Sequence, residues 1–159
     1  MEKAPDLTQM FLYDKFPIWY EYCHETQAIT LADVILSGEP YPIKALYGVG
    51  MNFKMYPQTD KLVKALDQID FFVNTDLFMT YTSKFADIVL PCCSSLERGE
   101  FKVYPGGYGV YTKPVIQPLY ESKSDTDILC ELARYMELDD PLLLEGYEAS
   151  VDYIMQGCG

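Results

Sequence analysis

The sequence predicts an α/β domain built on a mainly parallel sheet flanked by helices. Three short apolar runs, Ile43–Val49, Ile69–Asn74 and Ile88–Pro91, read as strands. Continuous apolar runs, rather than alternating ones, suit strands covered on both faces. Helical patterns separate the runs with short connections. That strand–helix–strand order requires parallel pairing with right-handed crossovers.

The elements follow in chain order. Residues 1–29 form an aromatic, irregular lead-in with Phe11, Tyr13, Phe16, Trp19, Tyr20 and Tyr22, and with a short helix expected around Pro17–Cys23. Thr30-Leu31-Ala32-Asp33 is a capping-box pattern with Asp in place of Glu, so a helix should begin there. It should end near Ser37, with Gly38 in the left-handed position behind it and Pro40 and Pro42 preventing continuation. After the first strand comes Gly48-Val49-Gly50-Met51-Asn52, and Pro57 suits the first turn of a helix whose apolar side is Leu62, Val63, Ala65 and Leu66. Thr80–Ala86 reads as a short helix. The glycine-rich, aromatic stretch 94–120 reads as a long loop with extended pieces or an irregular hairpin. Ser124-Asp125-Thr126-Asp127 is a second capping box, ahead of Ile128, Leu129, Leu132, Ala133 and Met136 at helical spacing. The last helix spans about Tyr147–Gln156, with Tyr147, Val151 and Ile154 on one face. The organisation is a lead-in over 1–29, the α/β domain over 30–140, and a C-terminal helix and tail over 141–159.

Composition excludes several classes of function. The 159 residues suit one domain, and 49% are hydrophobic, enough for a substantial core. A net charge of −12 opposes binding to nucleic acid and attraction to an anionic membrane. A phosphate-bearing ligand remains compatible, because backbone N–H groups and helix N-termini hold anions locally. The five cysteines, Cys23, Cys92, Cys93, Cys130 and Cys158, are odd in number and include no C-x-x-C, which suggests reduced thiols used in packing. His24 is the only histidine and has no neighbouring ligand partner. No apolar run approaches the roughly 20 residues of a membrane span, and the N-terminus has no signal-peptide core.

Chemistry in a parallel sheet belongs at the carboxyl ends of its strands. Gly48–Asn52 is one such end. It is either a plain tight turn or a place where backbone meets ligand. Asn74-Thr75-Asp76 is another, where the Asp76 carboxylate either caps the next turn or accepts the paired N–H groups of guanine's edge. Glu97, Glu100 and Asp125 either come close in space or, as the net charge favours, form a solvated acidic face. No nucleophile elbow, phosphate loop or metal-ligand cluster occurs.

Three stretches together resemble the molybdopterin oxidoreductases of the dimethyl sulfoxide reductase family: Ile43–Asn52, the run from Asp76-Leu77-Phe78-Met79-Thr80 through Ala86-Asp87-Ile88-Val89-Leu90-Pro91, and Leu96-Glu97-Arg98-Gly99-Glu100. The likeness continues through the helix at Ser124–Met136 and covers roughly residues 30–156. It implies a Rossmann-like, dinucleotide-binding lobe of a larger enzyme of anaerobic metabolism. That enzyme would carry a bis-molybdopterin guanine dinucleotide cofactor with molybdenum or tungsten. The resemblance further implies cofactor-binding roles for Asn52, Thr75, Asp76, Arg98 and Asp125, with Asp76 recognising guanine. It implies no catalytic residue and no metal ligand in this chain. The partners it implies are the rest of a parent polypeptide and an iron–sulfur electron-transfer subunit, in the cytoplasm or periplasm of a prokaryote. The isolated chain is expected to carry no cofactor, to insert into no membrane and to self-associate through exposed aromatics such as Trp19, Tyr20, Tyr104 and Tyr108. The rival readings are a stand-alone nucleotide-binding module and a scaffold domain. Phe53 stands where the family pattern G-x-N-P has proline, Tyr81 where T-E-T has glutamate, and Phe101–Tyr108 departs from the usual T-x-x-N-x-E-G-R stretch.

Overall fold

The computed structural model describes residues 15–18, 22 and 25–156. Trp19, Tyr20, Cys23, His24 and Cys158 lie outside the described residues, as does most of the expected helix around Pro17–Cys23. The architecture is mixed α/β with a three-stranded parallel sheet in the order β1-β2-β3, as the sequence predicts. The chain divides into two compact units. One comprises Met1–Asn74 and Met79–Val89, the other Thr75–Phe78 and Leu90–Gly159.

The first unit begins with α1, Leu31–Ser37, closed by Gly38 at φ 70°, whose N–H reaches Val34 O. Thr30 does not cap it. A 3-10 turn over Ala28–Thr30 precedes the helix, and the Thr30 hydroxyl donates to Gln27 O at 2.6 Å. Strand β1, Ala45–Val49, leads through Gly50, at φ 58°, to a 3-10 turn at Phe53–Met55. Helix α2, Thr59–Leu66, starts after Gln58 at φ 57°, so Pro57 sits outside the helix rather than in its first turn. Strands β2, Phe71–Asp76, and β3, Ile88–Pro91, follow. The expected helix over Thr80–Ala86 contracts to a 3-10 turn at Ser83–Phe85, held by Thr80 Oγ1 accepting from Ser83 N at 3.2 Å.

The core of this unit joins α1 (Ala32, Ile35), α2 (Leu62, Ala65, Leu66), Phe53 and Phe72. The strands are less covered than their apolar runs suggest. Phe71 is 45% exposed and Val49 49%, so burial is concentrated under the helices. Phe53 explains its own departure from proline. Its ring is fully buried, stacked on Phe72 at 5.9 Å and edge-on to Tyr56 at 6.1 Å. Its N–H donates to Thr82 Oγ1 at 2.9 Å, a bond proline cannot make.

The second unit holds the ends of β2 and β3, an antiparallel hairpin and the C-terminal helices. The hairpin pairs β4, Glu100–Tyr104, with β5, Tyr108–Thr112, in the register Glu100↔Thr112. Its turn uses Gly106 and Gly107 at φ 105° and 79°, and Tyr104 stacks on Tyr108 at 5.6 Å. Helix α3, Asp125–Tyr135, begins where the second capping box predicts, with Ser124 Oγ accepting from Asp127 N at 3.1 Å. A short helix not foreseen in the sequence, α4, Pro141–Glu145, has Asp140 as its cap and Pro141 in its first turn. Helix α5, Tyr147–Met155, follows. Among the described residues no helix is long and apolar enough to cross a membrane.

The first glycine of Gly48–Asn52 serves packing within the sheet. A Cβ at Gly48 would lie 2.6 Å from Asn74 Oδ1 and 2.7 Å from Met51 Sδ. Asn74 is fully buried and anchored by Nδ2 donating to Ser83 Oγ at 3.0 Å, so it has little room to yield. Gly48→Ala should therefore lower stability to urea by about 1–3 kcal/mol, the range for forced overpacking. An unchanged unfolding midpoint would contradict this close approach.

Candidate functional site

The second unit builds its site from backbone hydrogen bonds at the carboxyl ends of β2 and β3. Cys92 N donates to Asp76 O at 3.3 Å, which places the end of β3 beside the end of β2. Lys123 continues the ladder on the other side. It forms a parallel bridge with Cys92, donating to Pro91 O at 3.2 Å and accepting from Cys93 N at 2.8 Å. Ser124 then caps α3, so the helix starts at the sheet's end.

Three of the residues singled out in the sequence meet around Cys92. Burial raises the pKa of the Cys92 thiol, Asp125 and Asp76 raise it further, and the Arg98 guanidinium and a backbone hydrogen bond oppose them. Arg98 pairs with Asp125 through Nη1, and its Nη2 lies 3.4 Å from Glu100 Oε1. Glu100 also binds Lys102 at 3.1 Å, so it belongs to a charge network rather than to a solvated acidic face. Two atoms of the central pair remain buried with no hydrogen-bond partner: Arg98 Nε, a donor, and Asp125 Oδ1, an acceptor. Both residues line a pocket of about 400 Å³, together with Glu97, Ser122, Ser124 and Tyr147. Buried polar groups are rarely left unsatisfied, so such a donor–acceptor pair in a cavity of ligand size marks a place for a polar ligand.

Asp76 is partly buried at the end of β2, and its Oδ1 accepts from Phe78 N at a long 3.4 Å. The turn thus engages this carboxylate, as the capping alternative foresees. Thr75 is fully buried within the strand. Asn52 belongs to the first unit, where its exposed side chain accepts from Lys54 N at 3.2 Å and caps the 3-10 turn. Lys123 is committed to Glu131, at 2.7 and 2.6 Å from its two carboxylate oxygens.

The sequence reading missed the group that holds this site together. Glu97 is only 8% exposed. Its Oε2 accepts from Ser94 N at 2.8 Å and Ser94 Oγ at 2.6 Å, and its Oε1 from Leu119 N at 2.7 Å. These donors hold its pKa down to about 2, the Ser94 hydroxyl most of all. Local spacing offers part of this signal, since Ser94 stands three residues before Glu97 in a Ser-x-x-Glu pattern, but the partners Leu119 and Ser122 stand 22 and 25 residues away. Tyr147 was likewise read only as one face of a helix. Its burial beside the pocket raises its phenol pKa, and its hydroxyl is buried without a hydrogen-bond partner.

Comparison with known proteins gives a consistent set of likenesses. The family model described as molybdopterin oxidoreductase matches residues 26–135. A dopamine dehydroxylase of Eggerthella lenta is 34% identical over 127 residues, covering 77% of this chain and 12% of that protein. A dimethyl sulfoxide/trimethylamine N-oxide reductase of Rhodobacter capsulatus is 35% identical over 96 residues, covering 57% of this chain and 12% of the relative. Among solved structures, acetylene hydratase from Pelobacter acetylenicus superposes with a TM-score of 0.63 at 33% identity, over 69% of this chain and 15% of that one. The chain thus spans a small part of the length of the relatives it matches.

The Glu97 network should show itself in acid. A carboxyl group whose pKa is lower in the folded state stabilises the fold fully above its unfolded value, and loses that contribution as pH falls toward its folded value. The stability difference between the native chain and Glu97→Gln should therefore hold steady at neutral pH and shrink between pH 4.5 and about 2. Urea unfolding across that window checks this. A difference that stays constant down to about pH 2 would contradict it.

Proposed function

Because the chain belongs to the molybdopterin oxidoreductases, we propose that it is the part of such an enzyme that holds the nucleotide end of the cofactor. The observation that carries this reading is the buried, unpartnered pair of Arg98 Nε and Asp125 Oδ1 beside one pocket. The pair offers one donor and one acceptor side by side, which suits the mixed polar surface of a nucleotide and not a purely anionic group. Acetylene hydratase and the reductase and dehydroxylase relatives are named for chemically unlike substrates. What this chain shares with them is therefore better read as holding the cofactor than as selecting a substrate.

The cofactor is a molybdopterin, and we take its form to be the guanine dinucleotide. Guanine presents N1–H and the exocyclic amine side by side, and a carboxylate accepts both. Asp76, at the end of β2, suits that edge. Arg98 Nε suits a phosphate or ribose oxygen, and Asp125 Oδ1 a ribose hydroxyl. Thr75, buried in the strand, sets the backbone from which Asp76 projects. When bound in the whole enzyme, the cofactor supplies a molybdenum or tungsten centre capable of two-electron chemistry on a substrate. The exposed hairpin, with Tyr104 43% and Tyr108 60% accessible, suits docking on the rest of that enzyme or on an electron-transfer subunit.

Thermal unfolding with added nucleotide tests the reading. GMP should raise the unfolding temperature of this chain more than AMP does. Asp76→Asn should abolish the difference, because its amide presents a donor to guanine's donors. Losing even one charge-assisted hydrogen bond, about 1.5–3 kcal/mol, weakens binding about tenfold or more. Equal stabilisation by both nucleotides, unaffected by the substitution, would overturn it.

A further inference from the structure

Glu97 accounts for more than local stability. The turn at Ser94–Glu97 ends where Arg98 begins, and the turn at Leu119–Ser122 runs through Lys123 and Ser124 into Asp125. The carboxylate of Glu97 joins these two turns. One oxygen takes both donors of Ser94, and the other takes Leu119 N. The Ser122 hydroxyl lies 3.2 Å from that second oxygen and 2.7 Å from Leu119 O, sharing its single proton between them. Leu96 O adds a backbone tie, accepting from Val115 N at 2.8 Å and Ile116 N at 3.1 Å. So the two arms that carry the Arg98–Asp125 pair are bound to one another at their roots.

We propose that Glu97 is a positioning residue. By clasping the two turns, its carboxylate sets the spacing at which Arg98 Nε and Asp125 Oδ1 face the pocket. The inference rests on the nucleotide reading of that pocket, although the clasp itself does not need a ligand. Only a carboxylate fits the role. A glutamine has one oxygen and one amide nitrogen, so its NH2 must face either Ser94 N or Leu119 N. A backbone N–H cannot turn round to accept. One of the two turns must therefore come loose in Glu97→Gln, although the side chain keeps its size.

The chain has just two arginines, Arg98 and Arg134, so its side-chain Nε–H signals in a proton–nitrogen spectrum are readily assigned. In the ligand-free Glu97→Gln chain the Arg98 signal should shift and that of Arg134 should not. GMP affinity, measured well below the unfolding temperature, should fall about tenfold, the low end for loss of an outer-shell partner. A role in stability alone would lower the unfolding temperature and move neither readout. If Glu97→Gln does not fold, Ser94→Ala, which removes one donor and keeps the backbone, should shift the same signal by less. An Arg98 signal that stays in place in a folded variant overturns the clasp. If the native chain does not bind GMP but the Arg98 signal shifts, the clasp stands and the nucleotide reading falls.

Discussion

The hydrogen bond from Cys92 N to Asp76 O, with the two that join Pro91 and Cys93 to Lys123, decides which side chains of the second unit can meet. Parallel strands end side by side, and their carboxyl ends present whatever residues follow them. Here the adjacent ends deliver Asp76 from β2, Cys92 from β3, and the cap of α3 beside them. Arg98, returning from the turn anchored by Glu97, reaches Asp125 across this edge. Without the ladder these residues are scattered over fifty positions of sequence; with it Asp76, Arg98 and Asp125 surround one thiol, and Arg98 and Asp125 border one pocket.

A net charge of −12 runs against the proposed phosphate-bearing ligand. The local arrangement resolves this. The hydrogen-bonding edge of guanine consists of donors, which carboxylates such as Asp76 attract. Arg98 offers its one unpartnered donor where Asp125 offers its one unpartnered acceptor, so the pair itself is neutral as well as polar. Lys123, which also lines the pocket, is held by Glu131. Recognition of this kind depends on placement of individual dipoles and charges, and long-range steering plays little part.

Much of the architecture was legible in the sequence because it rests on local chemistry. Gly38 ends α1 with the left-handed conformation that glycine favours, and Ser124 caps α3 through its hydroxyl. The apolar runs gave the strands and their parallel order. Where tertiary contacts compete with local preference, the reading departs from the structure. Thr30 spends its hydroxyl on Gln27, the left-handed Gln58 pushes Pro57 out of α2, and the Thr80–Ala86 pattern is cut short by its own hydroxyl network. Of the site, Asp76, Arg98 and Asp125 could be singled out through motifs. Glu97 was only half legible: Ser94-x-x-Glu97 is a local pairing, but the donors that make it a clasp, Leu119 N and Ser122 Oγ, come from more than twenty residues away.

The central claim is that the Arg98–Asp125 pocket and Asp76 together receive a guanine nucleotide. A crystal structure of this chain grown with GMP tests it most directly. The account predicts the base edge within hydrogen-bonding distance of the Asp76 carboxylate, with Arg98 Nε and Asp125 Oδ1 both newly partnered by the ligand. GMP bound elsewhere, with those two atoms still lacking partners, would contradict it.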